Sequence, residues 1–403
     1  MKIIFKLIIT AILYGFSALM MAQQTVTAYL LDSETKKPID LVAVVSSTSY
    51  TITNTEGGFT LRTDTNDTIQ LSHISYLTQN IPVQQLSNTV FLQPKVHELQ
   101  EIVVVPRAVI VRELTAVWDK YNRLLKNKKD NNFLEQTFYY RQLTRNDELH
   151  TEYMECFFTA PTTVSVRTLS LQEGRFARIK KDSIDWIRNF FRYCNIRPFS
   201  TDNAATKMTI NPLLVKDFEK YYDIHITQII SPEHEDEVKV YQFIPYQELI
   251  GKDKNAVMPS GLLYIRTKDL SIIRLEASTN YTGLRGIPNV KNEKCNFTVT
   301  YREGIESYPI AESVKCEAEI EFLRNEQSYQ MKVYSVLFAA DHPIQSKGRK
   351  MKRSDALLKI IAQGKYNQEF WDNNPMIKRT QIEQQVLDDF NRLGYFGTIQ
   401  FDE

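Results

Sequence analysis

The chain has 403 residues, which is long enough for two or three domains. Hydrophobic residues make up 43% of it, so each domain can bury a core, while 49 Lys and Arg against 48 Asp and Glu leave a formal net charge of +1. This balance argues against a protein built to hold nucleic acid or an anionic membrane by charge alone.

Residues 1–22 have the pattern of a secretory signal peptide. Lys2 and Lys6 give a positive start, a mostly apolar run extends from Leu7 to Met21, and Ala22 is a small residue suited to cleavage. The alternative, a membrane anchor, is not favoured because the run is shorter than the about 20 apolar residues that a spanning helix needs. We therefore predict an exported protein whose mature chain has no transmembrane segment.

Residues 23–95 have the pattern of an all-β domain. Short strand-like stretches alternate with turn residues, which is typical of a sandwich or barrel. Strands are predicted at 26–31, 41–45, 50–53, 59–62, 68–74, 77–83 and 90–92. The tightest turn contains Gly57 and Gly58 directly before Phe59, and glycines permit the positive φ that such a connection needs.

Three motifs in this domain occur as DSETKKPI at 32–39, TNTEGGF at 53–59 and LSHISY at 71–76. In order and spacing they resemble the carboxypeptidase-like regulatory domain of Gram-negative envelope proteins. The resemblance implies a prealbumin-like sandwich without catalytic residues of its own, in which Gly57, Gly58, Phe59 and Tyr76 have structural roles. Asn54 stands where that family usually has Asp, and Asn tolerates the same turn geometry. Ser75 stands where the family usually has Gly.

Residues 96–130 are predicted to form a linker strand and a helix. The stretch ELQEIVVV at 98–105 resembles the segment that follows this domain in TonB-dependent outer-membrane transporters. The rest of the chain lacks the run of about ten-residue alternating strands of such a barrel, so we favour a strand that closes the sandwich or pairs with the next domain. A helix is predicted over 108–125 because one face carries Val111, Leu114, Trp118, Tyr121 and Leu125.

Residues 131–342 are predicted to form an α+β domain with a large curved antiparallel sheet and flanking helices. Strands are predicted at 137–142, 150–159, 224–230, 237–244, 262–266, 271–277, 296–301, 313–322 and 329–338, and short helices at 184–191 and after Asn211. The hairpin at 261–275 is similar, at the level of fold, to hairpins of periplasmic lipoprotein-carrier proteins, which are curved half-barrels closed by helices.

Two residue pairs in this domain are candidates for specific bonds. Arg141 and Glu155 lie on predicted neighbouring strands and can form an ion pair, which we expect to be of the weak surface kind. Cys295 and Cys316 can face each other if their strands pair, and the export signal motivates a disulfide between them. Two buried thiols are the alternative, because buried cysteine is common.

Residues 343–403 are predicted to be a basic linker and C-terminal helices. The basic run at 347–353 is interpreted as a solvated loop, because no second lipid-binding signal accompanies it. Thr380 and Glu383 have the spacing of a capping box at the start of a helix. Its inward face is predicted to carry Ile382, Val386, Phe390 and Leu393.

Catalytic patterns are weak in this sequence. His234 and Glu237 have the His-x-x-Glu spacing of a zinc carboxypeptidase, and His342 could be a third ligand. That motif falls in a polar turn, and neither a general base nor an arginine for a substrate carboxylate can be placed beside it. We predict no metal, cofactor or catalytic residue.

These observations predict a non-catalytic envelope protein, periplasmic or associated with the outer membrane, that binds a partner protein or a lipid-like ligand. An accessory role in TonB-linked outer-membrane transport, through residues 98–105, is one alternative. A zinc-dependent peptidase is the other, and clustered histidines and carboxylates in one cleft would support it.

Overall fold

The computed structural model describes residues 23–95, 105–127, 135–161, 168–179, 217–230, 236–249, 258–282, 290–303, 309–324, 326–340, 349–352, 367–373 and 376–396. The chain divides into two compact units. The first, here called the N-terminal unit, is Met1–Lys95 with Gln368–Gln381, and the second, here called the sheet unit, is Val96–Asn367 with Ile382–Glu403. The predicted signal peptide, the stretch 98–104 and the predicted helix at 184–191 lie outside the described residues.

The N-terminal unit contains two sheets built from all seven predicted strands. The strands are β1 (Gln23–Asp32), β2 (Ala43–Val45), β3 (Tyr50–Ile52), β4 (Gly58–Asp64), β5 (Thr68–His73), β6 (Tyr76–Pro82) and β7 (Thr89–Leu92). One sheet has the order β4-β1-β7, and the other has the order β3-β2-β5-β6. Both contribute to one apolar core, which includes Leu30, Val44, Phe59, Leu61 and Leu71. The all-β prediction for this region is confirmed.

The sheet unit contains one large antiparallel sheet. Its strands are β8 (Glu135–Asn146), β9 (Leu149–Pro161), β10 (Thr168–Arg178), β11 (Tyr222–Ile230), β12 (Val238–Pro245), β13 (Ser260–Arg266), β14 (Ser271–Thr282), β15 (Val290–Glu303), β16 (Pro309–Arg324), β17 (Gln327–Ala340) and β18 (Arg349–Lys352). Their order is β11-β12-β13-β14-β15-β16-β17-β8-β9-β10-β18. The strand β8, early in the chain, therefore lies beside β17, about 200 residues later, with Thr137 opposite Ala340.

Two strands of this sheet were not predicted from the sequence. In β10 the register shifts between Leu171 and Glu173, which breaks the alternation of inward and outward residues. The strand β18 lies within the basic run that was interpreted as a solvated loop, and that interpretation was wrong for residues 349–352. A short strand rich in Lys and Arg is suited to the edge of a sheet, because its charges discourage pairing with other chains.

The described structure also has three α-helices, α1 (Arg107–Asn127), α2 (Gln368–Asn373) and α3 (Gln381–Arg392). Three one-turn 3-10 helices lie at Val83–Gln85, Phe218–Lys220 and Gln247–Leu249. Helix α1 shares one apolar core with one face of strands β8 to β17, here called the inner face. Helix α3 packs on the opposite face of β8 to β10, here called the outer face, through Leu143, Tyr153, Ala177, Val386, Leu387 and Phe390. None of the described helices is long and apolar enough to cross a membrane.

The buried faces of α1 and α3 agree to different extents with the faces predicted from the sequence. Of the predicted stripe of α1, Leu114 and Tyr121 are buried, whereas Val111 and Trp118 are half-buried. The neighbouring Ile110 and Val117 are buried in their place. In α3 the predicted face was partly wrong, because Ile382 is 58% exposed and Leu393 is 49% exposed. The buried face of α3 consists of Glu383, Val386, Leu387 and Phe390.

Candidate functional site

Four buried charged side chains meet on the outer face of the sheet unit. Arg141 lies on β8, Glu155 on β9, Arg175 on β10 and Glu383 on α3. The sheet register places Arg141 directly opposite Glu155, and Glu155 directly opposite Arg175, so the three side chains are neighbours across the strands. We call these four residues the charged cluster.

Helix α3 completes the cluster with a carboxylate. Arg141 Nε lies 3.0 Å from Glu383 Oε1, and Arg141 Nη2 donates to Glu383 Oε2 at 3.1 Å. One hydrogen bond and one close ion-pair contact therefore hold the guanidinium against the carboxylate. Without Glu383, the strands would bury two guanidinium groups against one carboxylate.

The second carboxylate lies between the two arginines. Arg175 Nε donates to Glu155 Oε2 at 2.7 Å, and Arg175 Nη2 donates to the same oxygen. Tyr139 donates its hydroxyl to Glu155 Oε1 at 2.5 Å, while Arg141 Nη1 lies 4.0 Å from that oxygen. Glu155 has no exposed surface, so these donors replace the water that its carboxylate has lost.

Aromatic rings surround the cluster on the side of Arg175. The Arg175 guanidinium carbon lies 5.8 Å from the centroid of the Tyr153 ring and 5.5 Å from that of Phe396. The two rings meet edge to face at 6.1 Å. Phe396 follows α3 and forms an isolated bridge with Ala177 of β10, so the end of the described chain contributes to the enclosure.

This arrangement is suited to holding structure rather than to acid–base catalysis. Burial lowers the pKa of Arg141, but the negative charge of Glu383, with smaller effects from the phenols of Tyr139 and Tyr153 and from Glu155, outweighs it and raises that pKa above its ordinary value. The two positive and two negative charges cancel, and all four side chains are at most 4% exposed. A general acid or base has to reach a substrate, which groups enclosed in this way do not.

The sequence predicted only part of this cluster. Arg141 and Glu155 are neighbours as expected, but the expectation of a surface pair was wrong because both side chains are buried. Glu383 was interpreted as a capping residue, and Arg175 was not predicted at all. The available signal for Glu383 was its spacing of three and seven residues from Val386 and Phe390, which places it on their side of the helix.

In the N-terminal unit, the turn before β4 has the geometry that its glycines predict. Gly57 has φ of +72°, and a Cβ at that position would lie 2.4 Å from the carbonyl oxygen of Leu30. Asn54 Oδ1 accepts hydrogen bonds from the amides of Glu56 and Gly58, at 3.0 and 2.8 Å. Phe59, the first residue after the two glycines, is completely buried in the core.

Tyr76 ties the start of β6 to the end of β1. Its hydroxyl donates to Asp32 Oδ2 at 2.8 Å, while Asp32 Oδ1 accepts from the amides of Glu34 and Thr35. Burial and the negative charge of Asp32 raise the pKa of Tyr76 to about 12, so the phenol remains a donor at neutral pH. This contact gives Tyr76 a structural role.

The two cysteines considered for a disulfide are buried free thiols in this structure. Cys295 lies opposite Ala318 and Cys316 lies opposite Phe297, so the two cysteines are diagonal neighbours on β15 and β16. Diagonal positions are about 7–8 Å apart, but the two thiols still interact through their side chains, so the disulfide stays a prediction. Burial raises the pKa of Cys316 well above its ordinary value, so the thiol is a poor nucleophile.

The zinc hypothesis has no structural support in the described ranges. His234 and His342 lie outside them, and within them no group of three or more His, Cys, Asp or Glu side chains could hold a metal ion. The described histidines His73, His150 and His225 lie on different strands or turns.

No protein-family model matches the chain. No curated protein matches it either. Among solved structures, similarity is found to a LolA superfamily protein from Nitrosomonas europaea, with 9% identity, 57% of this chain and 94% of that chain covered, and a TM-score of 0.21. The MucA/MucB complex from Pseudomonas aeruginosa gives 7% identity over 55% of this chain and 93% of that chain, with a TM-score of 0.17. Scores this low do not assign the sheet to a fold family.

Proposed function

We propose that the chain is a non-catalytic, exported protein of the Gram-negative cell envelope, periplasmic or associated with the outer membrane, and that it binds a partner protein. The observation that carries the non-catalytic part is the charged cluster. Its ionisable groups are bonded to one another and enclosed by Tyr153 and Phe396, where a catalytic acid, base or nucleophile would need an open path to substrate.

A protein partner is favoured over a lipid-like ligand because the protein's own side chains fill the inner face. A small-ligand site needs an apolar cavity of roughly 300 Å³ or more. Buried aromatic rings such as Tyr140, Phe158 and Phe297 fill the described core of the inner face. The lipid-like ligand is therefore the second candidate, and the experiment below tests it directly.

The surface beside strand β11 supports the choice of a protein partner. In the described sheet β11 is a terminal strand, paired on one side with β12. Tyr221 and Ile244 lie at the same end of this pair and are 39% and 42% exposed. Exposed large apolar residues beside a sheet edge are a common site for the addition of another chain.

We also propose that the two units have the folds that their motifs imply. The two-sheet arrangement, the Gly57 turn and the Tyr76 contact support a prealbumin-like, carboxypeptidase-like regulatory domain at the N terminus. The inclusion of α1 and ten strands in one core supports a curved half-barrel for the sheet unit. The resemblance of 98–105 to a TonB-linked segment gains little support, because Val105, its one described residue, packs against the inner core.

The experiment that tests the function uses the full chain, exported in a Gram-negative host. A photo-crosslinking amino acid at Ile244 is expected to give an adduct of one mass in the envelope, while the same group at the exposed but distant helix position Ile382 is expected to give none. Solvent extraction of the purified chain, followed by mass spectrometry, tests the second candidate. A stoichiometric lipid together with no adduct at residue 244 would overturn the protein-partner proposal.

A further inference from the structure

A stretch of the chain from far downstream lies on the N-terminal unit beside the Gly57 turn. Residues 376–381 belong to this unit although about 320 residues separate them from the turn. They form neither helix nor strand before Gln381. We call residues 376–381 the docked segment.

The turn and β3 hold the backbone of the docked segment through side chains. Thr51 Oγ1 donates to the carbonyl oxygen of Met376 at 2.5 Å, and Asn54 Nδ2 donates to that of Lys378 at 3.0 Å. The Glu56 carboxylate accepts the amide of Gln381 at 3.1 Å. These three bonds therefore hold the docked segment through its backbone, independently of its side chains.

The side chain of Lys378 is recognised separately. Its Nζ lies 3.8 Å from the centroid of the Tyr29 ring, a close cation–π contact. Its stem crosses Gly58, where a Cβ would lie 3.0 Å from Lys378 Cδ and 3.0 Å from Tyr29 Cε1. Gly57 therefore serves the turn, whereas Gly58 leaves room for the lysine. The preceding residue, Ile377, is buried.

We infer that this surface is a peptide-binding site, that it accepts a segment with an apolar residue followed by lysine, and that residues 376–381 of the same chain occupy it. The residue that adapts the turn to this task is Asn54. Its oxygen makes the turn bonds to the amides of Glu56 and Gly58, while its amide nitrogen makes the bond to Lys378. An Asp at this position would keep the turn and would oppose the Lys378 carbonyl with a negative charge.

Residue 54 is Asn, whereas the family that this domain resembles usually has Asp there. The turn can form with either residue, but the hydrogen bond to the Lys378 carbonyl needs the amide group of Asn. The site is independent of the partner proposed for the sheet unit, so either inference can fail without the other. Glu56 adds a negative charge beside a segment that contains Lys378 and Arg379, which suits a basic peptide.

The first test is the variant Asn54→Asp in the full chain. Trypsin is expected to cleave after Lys378 about tenfold faster than in the unmodified chain, because loss of one hydrogen bond and a new repulsion raise the population of the released segment. The matched control is Asn66→Asp, since Asn66 lies in another turn and uses its oxygen, which Asp retains, to accept from Gln84. Equal cleavage in the two variants would overturn the inference.

The second test adds the peptide from outside. In the full chain with Ile377→Asp and Lys378→Glu, the site is expected to be empty and to bind a fluorescent peptide of residues 376–383, measured by anisotropy. The unmodified chain is expected to bind it at least about tenfold more weakly because its own segment competes. A peptide with Lys378→Gln is the control and is expected to bind more weakly. If the folded variant shows no saturable binding, the site does not accept a peptide in trans and the inference fails.

Discussion

Helices α1 and α3 cover opposite faces of the same sheet, and they are held there by different forces. The buried side of α1 is apolar, and its charged contacts are at the margin, where Glu113 bonds to Lys239 at 2.7 Å and to Tyr241 at 2.8 Å. The buried side of α3 has a charge in it, because Glu383 bonds to Arg141 inside the protein. The spacing of apolar residues therefore predicts the buried face of α1 approximately, but it predicts the buried face of α3 incorrectly.

The largest expected effect comes from removing the ion pair between Glu383 and Arg141, which holds α3 on the sheet. Glu383→Ala leaves Arg141 buried without its closest carboxylate, and we expect a loss of about 3–5 kcal/mol in the free energy of unfolding. Urea denaturation of the full chain measures this change. The control is Gln384→Ala, one position along the same helix and exposed. If both variants unfold at the same urea concentration, Glu383 does not hold the helix.

A smaller effect, which depends on pH, is expected at the margin of α1. Lys120 donates to the carbonyl oxygen of Asp269 at 2.7 Å and to the Ser271 hydroxyl at 3.0 Å. Burial by itself raises the pKa of the Asp269 carboxyl, but hydrogen bonds from Arg266 and Ser271 and the charge of Arg266 outweigh it and hold that pKa below its ordinary value of 3.8.

Because this pKa is lowered in the folded state, the carboxylate stabilises the protein above pH 3.8, and the contribution disappears as the pH falls below that value. The side chain is one-third exposed, so screening by water limits the contribution to about 1 kcal/mol. We expect Asp269→Asn to be less stable by this amount at about pH 6, and we expect the difference to be smaller at about pH 2. Stabilities that differ equally at both pH values would contradict the assignment.

The smallest expected effect tests the orientation of α3. Ile382 is exposed, so Ile382→Ala should change the free energy of unfolding by less than about 0.5 kcal/mol. The orientation predicted from the sequence places Ile382 in the core, where the same change costs about 2–5 kcal/mol. Urea denaturation beside Val386→Ala, a buried position on the same helix, separates the two orientations.

Much of the architecture could be predicted because it depends on local patterns. Residues 314–322 of β16 alternate buried and more exposed side chains without interruption, and Gly57 marks a turn that needs positive φ. Strand β10 was not predicted because a register shift interrupts its alternation of inward and outward residues. Strand β18 was not predicted because a short, charged edge strand lacks the apolar pattern by which strands are recognised.

The sites were less predictable because their parts are distant in the sequence. Arg141 and Glu383 are 242 positions apart, and Asn54 and Lys378 are 324 apart. No periodicity connects such residues. A buried charge also looks like a surface charge in a sequence until its partner is known, which is why the ion pair of Arg141 and Glu155 was expected in water.

The position of Glu383 near the end of the chain has a consequence for biosynthesis. A polypeptide is made from its N terminus, so Arg141, Glu155 and Arg175 are synthesised long before the carboxylate that balances them. A product that stops before residue 383 retains an excess positive charge where the finished protein has none, and it cannot seal the outer face of its sheet. A chain interrupted before residue 383 is therefore expected to be digested faster by proteases than the 403-residue chain, because it lacks the bond that fastens α3.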